Sequence, residues 1–145
     1  MRSLVRQLSR TFTAVERRMI RAGRRPLGSR LAGGTPVLLL TTVGRRTGRR
    51  RVTPLLFHRC EDGSLLLVAV NGGADWDPDW LHNLVADPHA EVEIDGARYE
   101  VDAQVFGDDE RRARWDELCV AFPGLDEVQA RTRRTIPIVR LRLAD

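Results

Sequence analysis

The chain has 145 residues, 42% hydrophobic and 30% charged, with a net charge of +4, which fits one globular domain with one core and excludes a disordered chain. No apolar run approaches the ~20 residues needed to span a bilayer and no secretory signal opens the chain, so a cytoplasmic protein is expected. Cys60 and Cys119 form no CxxC pair and read as reduced thiols, and metal-ligand spacing is absent around His58, His82 and His89.

All of the basic residues other than histidine are arginine, and they are unevenly spread. Met1 to Arg51 carries fourteen arginines and one acid, Glu16, for a net of +13. Val52 to Asp145 carries ten arginines and nineteen acids, for a net of −9. Such polarity points to an anionic partner at the front of the chain.

In chain order, the first periodic segment is "RSLVRQLSRTFTAVERRMIRAG". Leu4, Leu8, Phe12, Val15 and Met19 recur at helical spacing, with arginines on the other faces. Two placements fit such a helix: packed on the domain, or lying on anionic lipid. A Gly- and Arg-rich linker follows, so residues 1–34 read as amphipathic helix and linker and residues 35–145 as the folded domain.

From Pro36 the pattern turns to strands. "PVLLLTTV" and "RVTPLLFHR" are two strands, with Pro54 marking an edge or a bulge in the second. "EDGS" is a hairpin-type turn into a third strand, "LLLVAV". "NGGADWDPDW" is a loop, and "DPDWLHNLVAD" a short helix that Asp77 can cap, with Pro78 at its first position. "AEVEI" and "ARYEVDAQVF" alternate strictly around Asp95-Gly96 and form a second hairpin. "DDERRARWDELCVAF" is an amphipathic helix, "PGLDEVQARTRR" a loop or short helix, and "IPIVRLRL" a final strand. Six strands with mainly hairpin connections favour a small closed barrel with helices on its flank.

The run "GRRTGRRR", Gly44 to Arg51, puts five arginines into eight residues between the first two strands. It lacks P-loop spacing, and neither GxGxxG nor GxSxG occurs anywhere. No nucleophile stands in a recognised arrangement with a histidine, so no catalytic residue is assigned. Glycines let N–H groups turn toward an anion, Thr47 adds a hydroxyl, and guanidinium forks match phosphate or carboxylate oxygens in pairs. A solvated basic hairpin is the alternative; the second glycine loop, "NGGA", which strand order can bring to the same rim, favours binding. Aromatic content is only 6%, and the strands offer no base-stacking face, so nucleic acid is not the expected partner. A nucleic-acid-binding module stays as the reading from another class.

Three segments, "PVLLLTTVGRRTGRRRVTPLLF", "NGGADWDPDWLHNLVADP" and "RTRRTIPIVRL", stand in an order and spacing that resembles the deazaflavin-dependent nitroreductase family. These are the F420H2-dependent quinone and nitro reductases of actinobacteria, and the resemblance runs from about Thr35 to Arg142. It implies a mainly β fold with flanking helices, a split β-barrel of flavin-reductase (FMN-binding-like) type. It also implies an F420H2-dependent oxidoreductase that transfers a hydride from reduced deazaflavin to a quinone-like or nitroaromatic acceptor. With a bilayer quinone as acceptor, the N-terminal helix would rest on the inner face of the cell membrane.

The resemblance also assigns residues. Arg45, Arg46, Thr47, Gly48 and Arg51 would line the cofactor's anionic tail, and Thr53 and Pro54 would approach its ring. Asn71, Gly72, Gly73 and Ala74 would lie beside ring and phosphate, with Trp80 and Asn83 on a nearby helix; Trp80 equally suits core packing. Phe122, Leu125 and Val128 stand in the acceptor-facing stretch, where the family's best-known member carries tyrosines, so a phenolic donor is missing there. An FMN-dependent reductase on the same barrel and a non-enzymatic F420 carrier are the alternatives.

Overall fold

The computed structural model describes residues 36–144. The amphipathic stripe from Leu4 to Met19 and its linker lie outside the described residues. The elements in chain order are β1 (Val37–Val43), β2 (Arg50–Leu56), β3 (His58–Arg59), β4 (Leu65–Val68), a 3-10 turn (Asn71–Gly73), α1 (Asp79–Ala86), β5 (His89–Ile94), β6 (Ala97–Val105), α2 (Asp108–Ala121), α3 (Leu125–Arg131) and β7 (Ile138–Leu143).

The strands form one antiparallel sheet of order β2-β1-β5-β6-β7-β4-β3. There are seven rather than six, because "RVTPLLFHR" divides at Phe57. The Phe57 N–H donates to the Pro36 carbonyl at 3.1 Å, and the chain passes from β2 at one edge of the sheet to β3 at the other. The sheet is therefore a curled half-barrel whose two edges are joined by the chain itself. A small closed barrel was the expectation; here no ladder of hydrogen bonds joins β2 to β3. Pro54 sits on edge strand β2, opposite Leu39, where a missing N–H is tolerated.

The turns follow local chemistry. Ile94 pairs with Ala97, leaving Asp95 (φ 49°) and Gly96 (φ 83°) as a two-residue turn of the mirror-image type that matches strand twist. In the "EDGS" turn, Asp62 Oδ1 accepts from the Ser64 N–H at 2.9 Å and from Ser64 Oγ at 2.6 Å.

β4 is buried on both faces, which explains its continuous apolar run, whereas β7 is buried on both faces only at Ile138 and Val139 and carries Arg140 and Arg142 further on. Leu65, Leu67, Val139 and Leu141 face the inside of the curl, where they meet Leu38, Leu40, Phe57, Val92, Val101 and α1 residues Trp80, Leu81 and Leu84. Leu66, Val70 and Ile138 face outward and pack on Leu118, Phe122, Leu125 and Val128 of the α2–α3 layer. Each such fully buried large side chain is worth roughly 1.5–3 kcal/mol relative to exposure.

One local expectation gives way. Asp77 makes no cap for α1; Pro78 takes the N-cap position without a side-chain hydrogen bond. The Asp77 carboxylate is drawn instead to Arg134 Nη1 at 2.8 Å, since an ion pair with a largely buried guanidinium outweighs a cap.

Candidate functional site

The arginine turn opens the site. Val43 pairs with Arg50, Thr42 with Arg51 and Leu40 with Thr53. Alternation along β2 then sends Arg51 and Thr53 to the face shared with Thr42, Leu40 and α1, and Arg50 to the opposite face. There Arg50 Nη2 pairs with Glu91 Oε2 at 2.9 Å. The turn is tied by the Gly44 N–H to the Arg49 carbonyl at 2.7 Å and by the Gly48 N–H to the Gly44 carbonyl at 2.8 Å. A Cβ on Gly44 would come within 2.8 Å of Thr47 Oγ1 and 3.2 Å of the Arg49 carbonyl, so the turn closes only over glycine.

Between this turn and α1 lies a groove of about 450 Å³, lined by Gly44, Arg45, Arg46, Thr47, Arg51, Val52, Thr53, Asp79, Trp80 and Asn83. Its charges divide into two kinds. Arg45 is fixed: Asn83 Oδ1 accepts from its backbone N–H (3.2 Å) and from Nη1 (2.9 Å), and Asp79 Oδ1 pairs with Nη2 at 3.2 Å. Asn83 is itself buried and donates through Nδ2 to Thr42 Oγ1 at 3.2 Å. Arg46 and Arg51 have no ion pair or hydrogen bond among the described residues. The Thr47 hydroxyl oxygen accepts from the Arg49 N–H at 3.2 Å, which leaves its own proton to donate outward.

The glycine loop is built separately. Asn71 (φ 46°), Gly72 (φ 64°) and Gly73 (φ 83°) take three successive left-handed conformations, which glycine adopts without strain and asparagine tolerates. Asn71 Nδ2 donates to the Trp76 carbonyl at 3.0 Å. Arg134 holds the loop from behind: Nη2 donates to the Ala69 and Val70 carbonyls at 2.7 and 2.9 Å, and Nε to the Ala74 carbonyl at 2.9 Å. Asp75 Oδ1 adds Thr132 Oγ1 at 3.1 Å and the Arg133 N–H at 3.0 Å. Those bonds, the Arg133 backbone first, hold the Asp75 carboxyl below the usual carboxylate range. Arg134 was invisible as a site residue in the sequence, because nothing in "RTRRT" separates it from its exposed neighbours.

Of the residues expected at the site, the structure gathers Arg45, Arg46, Thr47, Arg51, Thr53, Trp80 and Asn83 on one groove. Gly48 shapes the turn at φ 70° without lining it. Pro54 is buried on the opposite face from Thr53, beside Leu39. Asn71, Gly72, Gly73 and Ala74 form a separate loop and are not part of the groove lining. Phe122, Leu125 and Val128 are 1%, 0% and 2% exposed within the outer core, so no side chain among the three is free to meet a small molecule in this arrangement. Trp80 serves both expectations, at once core and groove wall.

No described group suggests nucleophilic chemistry. The Cys119 thiol is pushed up to about 11, chiefly by burial and then by Asp126, so it stays protonated near neutrality.

A family model for F420H(2)-dependent quinone reductases matches residues 8–142. The chain belongs to the F420H(2)-dependent quinone reductase family. Rv1261c of Mycobacterium tuberculosis strain H37Rv, named an F420H(2)-dependent quinone reductase, is 36% identical over 118 residues, which are 79% of this chain and 78% of that protein. A solved F420-H2 dependent reductase, FDR-A, is 30% identical with a TM-score of 0.65, covering 74% of this chain and 94% of that one. HutZ, a heme storage protein from Vibrio cholerae, shares the fold alone, at 14% identity and a TM-score of 0.55 over 93% of this chain and 92% of its own.

This F420H(2)-dependent quinone reductase family member is an oxidoreductase on the split-barrel fold, with coenzyme F420 as its cofactor. The groove suits such a group. A cofactor with an anionic tail needs cations and hydrogen-bond donors, and the groove offers Arg46 and Arg51, which have no ion pair among the described residues, and the neutral Thr47 hydroxyl.

Proposed function

We propose that the groove between the arginine turn and α1 binds the anionic tail of F420, and that the family chemistry runs at its inner end beside Thr53 and Trp80. When bound, the reduced cofactor supplies a hydride, and a quinone-type acceptor takes it. Arg46 and Arg51 bind tail oxygens by charge-assisted hydrogen bonds, and Thr47 adds a neutral one. Arg45 orients rather than neutralises, because Asp79 and Asn83 already engage it; it fixes the turn against α1. Trp80 supplies an apolar wall that excludes water from the inner end of the groove. The Asn71–Ala74 loop, clamped by Arg134, forms the next stretch of wall.

The single observation that carries this reading is the pair of guanidinia, Arg46 and Arg51, that have no ion pair among the described residues, on a groove whose third arginine is held by Asp79 and Asn83. Phe122, Leu125 and Val128 fit an acceptor site only as the layer beneath it: Val128 lies 3.9 Å from where a Gly73 Cβ would stand, so α3 backs the glycine loop. Among the described residues no helix is long and apolar enough to cross a membrane. Contact with a bilayer quinone pool through the segment from Leu4 to Met19 belongs to the same proposal.

Binding tests the reading directly. Titration with F420 should quench tryptophan fluorescence at micromolar levels, because Trp80 lines the groove. FMN, with one phosphate, should bind more weakly. Absence of F420 binding, or unaltered binding by an Arg46→Ala/Arg51→Ala double variant, overturns the assignment of the groove. Oxidation of F420H2 by a soluble quinone, followed at the cofactor's absorbance, tests the reaction.

A further inference from the structure

A second convergence of side chains shares no residue with the groove. His58 and Cys60 stand two residues apart at the end of β3, and Glu117 lies on α2. His58 Nε2, Cys60 Sγ and a Glu117 carboxylate oxygen all lie within 4.8 Å of one another, with His58 and Glu117 3.0 Å apart. A cation already sits among them: Arg114 Nη2 donates to Glu117 Oε2 at 2.7 Å and to Cys60 Sγ at 3.1 Å.

One thiol, one imidazole and one carboxylate make a donor set for zinc-like cations; magnesium and calcium seek oxygen alone. Zinc bonds of about 2.3 Å to sulfur and about 2.0–2.2 Å to nitrogen and oxygen place tetrahedral neighbours roughly 3.3–3.7 Å apart. The donors are close to that spacing, and the widest pair needs a contraction of about 1 Å, which side-chain torsions supply. Cys60 is buried, while the His58 and Glu117 side chains are 25% and 45% exposed, so an ion can enter from solvent and keep a water as fourth ligand. Arg114 precedes Glu117 by one helical turn and is 26% exposed, so it can swing outward and keep the other carboxylate oxygen.

We propose that His58, Cys60 and Glu117 bind a thiophilic divalent cation of the zinc type, and that Arg114 is the built-in occupant which the metal displaces. Binding releases the Cys60 thiol proton to solvent, and the sulfur becomes a thiolate ligand. The ion ties β3, an edge strand with a single neighbour, onto α2. Sequence spacing gave no sign of it, because the third ligand comes 59 residues after His58.

The test uses the full chain stripped with chelator. Cobalt(II) titration should give a thiolate-to-metal charge-transfer band that saturates at one ion per chain, and zinc should displace it. Cys60→Ser should abolish the band, and His58→Ala or Glu117→Gln should weaken zinc about tenfold or more against a chromophoric chelator. Arg114→Met, which removes the competing cation, should tighten binding. X-ray absorption of the zinc-loaded wild type should resolve one sulfur in the first shell, a result that depends on no variant. A shell of nitrogen and oxygen alone, binding unchanged by Cys60→Ser, or no binding by both wild type and Arg114→Met at micromolar levels overturns the site.

Discussion

One side-chain oxygen of Asn83 holds Arg45 twice, through its backbone N–H and its guanidinium, across 38 residues of chain. The other end of the same amide reaches Thr42 on β1. A single buried asparagine thus locks the arginine turn, the first strand and α1 into one rigid corner. Asn83→Ala leaves the Thr42 hydroxyl and the Arg45 N–H short of partners, each costing about 1–3 kcal/mol. Thermal unfolding should shift down, and F420 affinity should fall further than stability explains, because the turn loses its register. Asn83→Asp keeps the shared acceptor and should recover much of the affinity. Equal affinities for Ala and wild type would refute the corner's role.

The arginines of the turn should separate by strand face. Arg46→Ala and Arg51→Ala should each weaken F420 binding by about 1.5–3 kcal/mol, the range for charge-assisted hydrogen bonds. Arg50→Ala should change it little, since Arg50 points to the opposite face and pairs with Glu91. Arg49→Ala, at the exposed turn, should cost less than about 0.5 kcal/mol. Calorimetry on the four variants decides; four equal losses would mean a diffuse electrostatic field rather than placed contacts.

Arg134 should behave as a structural clamp whose loss reaches the site. Its side chain is 12% exposed and serves three carbonyls and Asp77. Burial draws its pKa down, and Asp77 opposes that shift, so the guanidinium stays charged. Arg134→Ala removes the cation paired with Asp77 and the Ala69 carbonyl's donor, while Val70 and Ala74 keep the Gly73 N–H and the Thr132 hydroxyl, and should cost about 1–3 kcal/mol. Arg134→Lys keeps the charge but not the fork, and should loosen the Ala69–Asp77 stretch to limited proteolysis while the fold persists. Cleavage at the wild-type rate in the lysine variant would contradict the clamp.

Acid should loosen the same loop. The Asp75 carboxyl is held below its ordinary value by Arg133 and Thr132, so its stabilising contribution is complete above the unfolded value of about 3.9. It is lost as pH falls through the lower folded value. Asp75→Asn should be less stable than wild type at neutral pH, and the gap should close on acidification. Unfolding curves recorded from neutral pH downward that keep a constant gap would show that Asp75 does not contribute in this way.

Much of the corner was legible because local chemistry decided it. Asp95-Gly96 between alternating segments reads as a hairpin turn, Pro54 marks an edge or a bulge, and the edge is what the structure shows; the placing of Arg50 on the face opposite Arg51 came only with the β1–β2 register. The resemblance supplied the rest of the groove residues, and the structure gathers most of them. What escaped depends on partners distant in sequence. Asp77 reads as a cap until Arg134 appears, 57 residues on. Phe122, Leu125 and Val128 were placed by analogy; their apolar character at helical spacing fits the core they occupy equally well. The break at Phe57 depends on which strands its two sides pair with, β1 before it and β4 after it, and no local pattern gives that.

That break has a mechanical consequence. Both outer strands of the sheet are one run of chain with a single residue between them, so neither edge can move without pulling the other. Opening of the half-barrel therefore has one seam, between β2 and β3, and Phe57 is the residue that joins its two sides. New chain ends introduced at Phe57 would unfasten both edges at once, whereas ends introduced at Gly63, in the turn between β3 and β4, would leave the seam stitched.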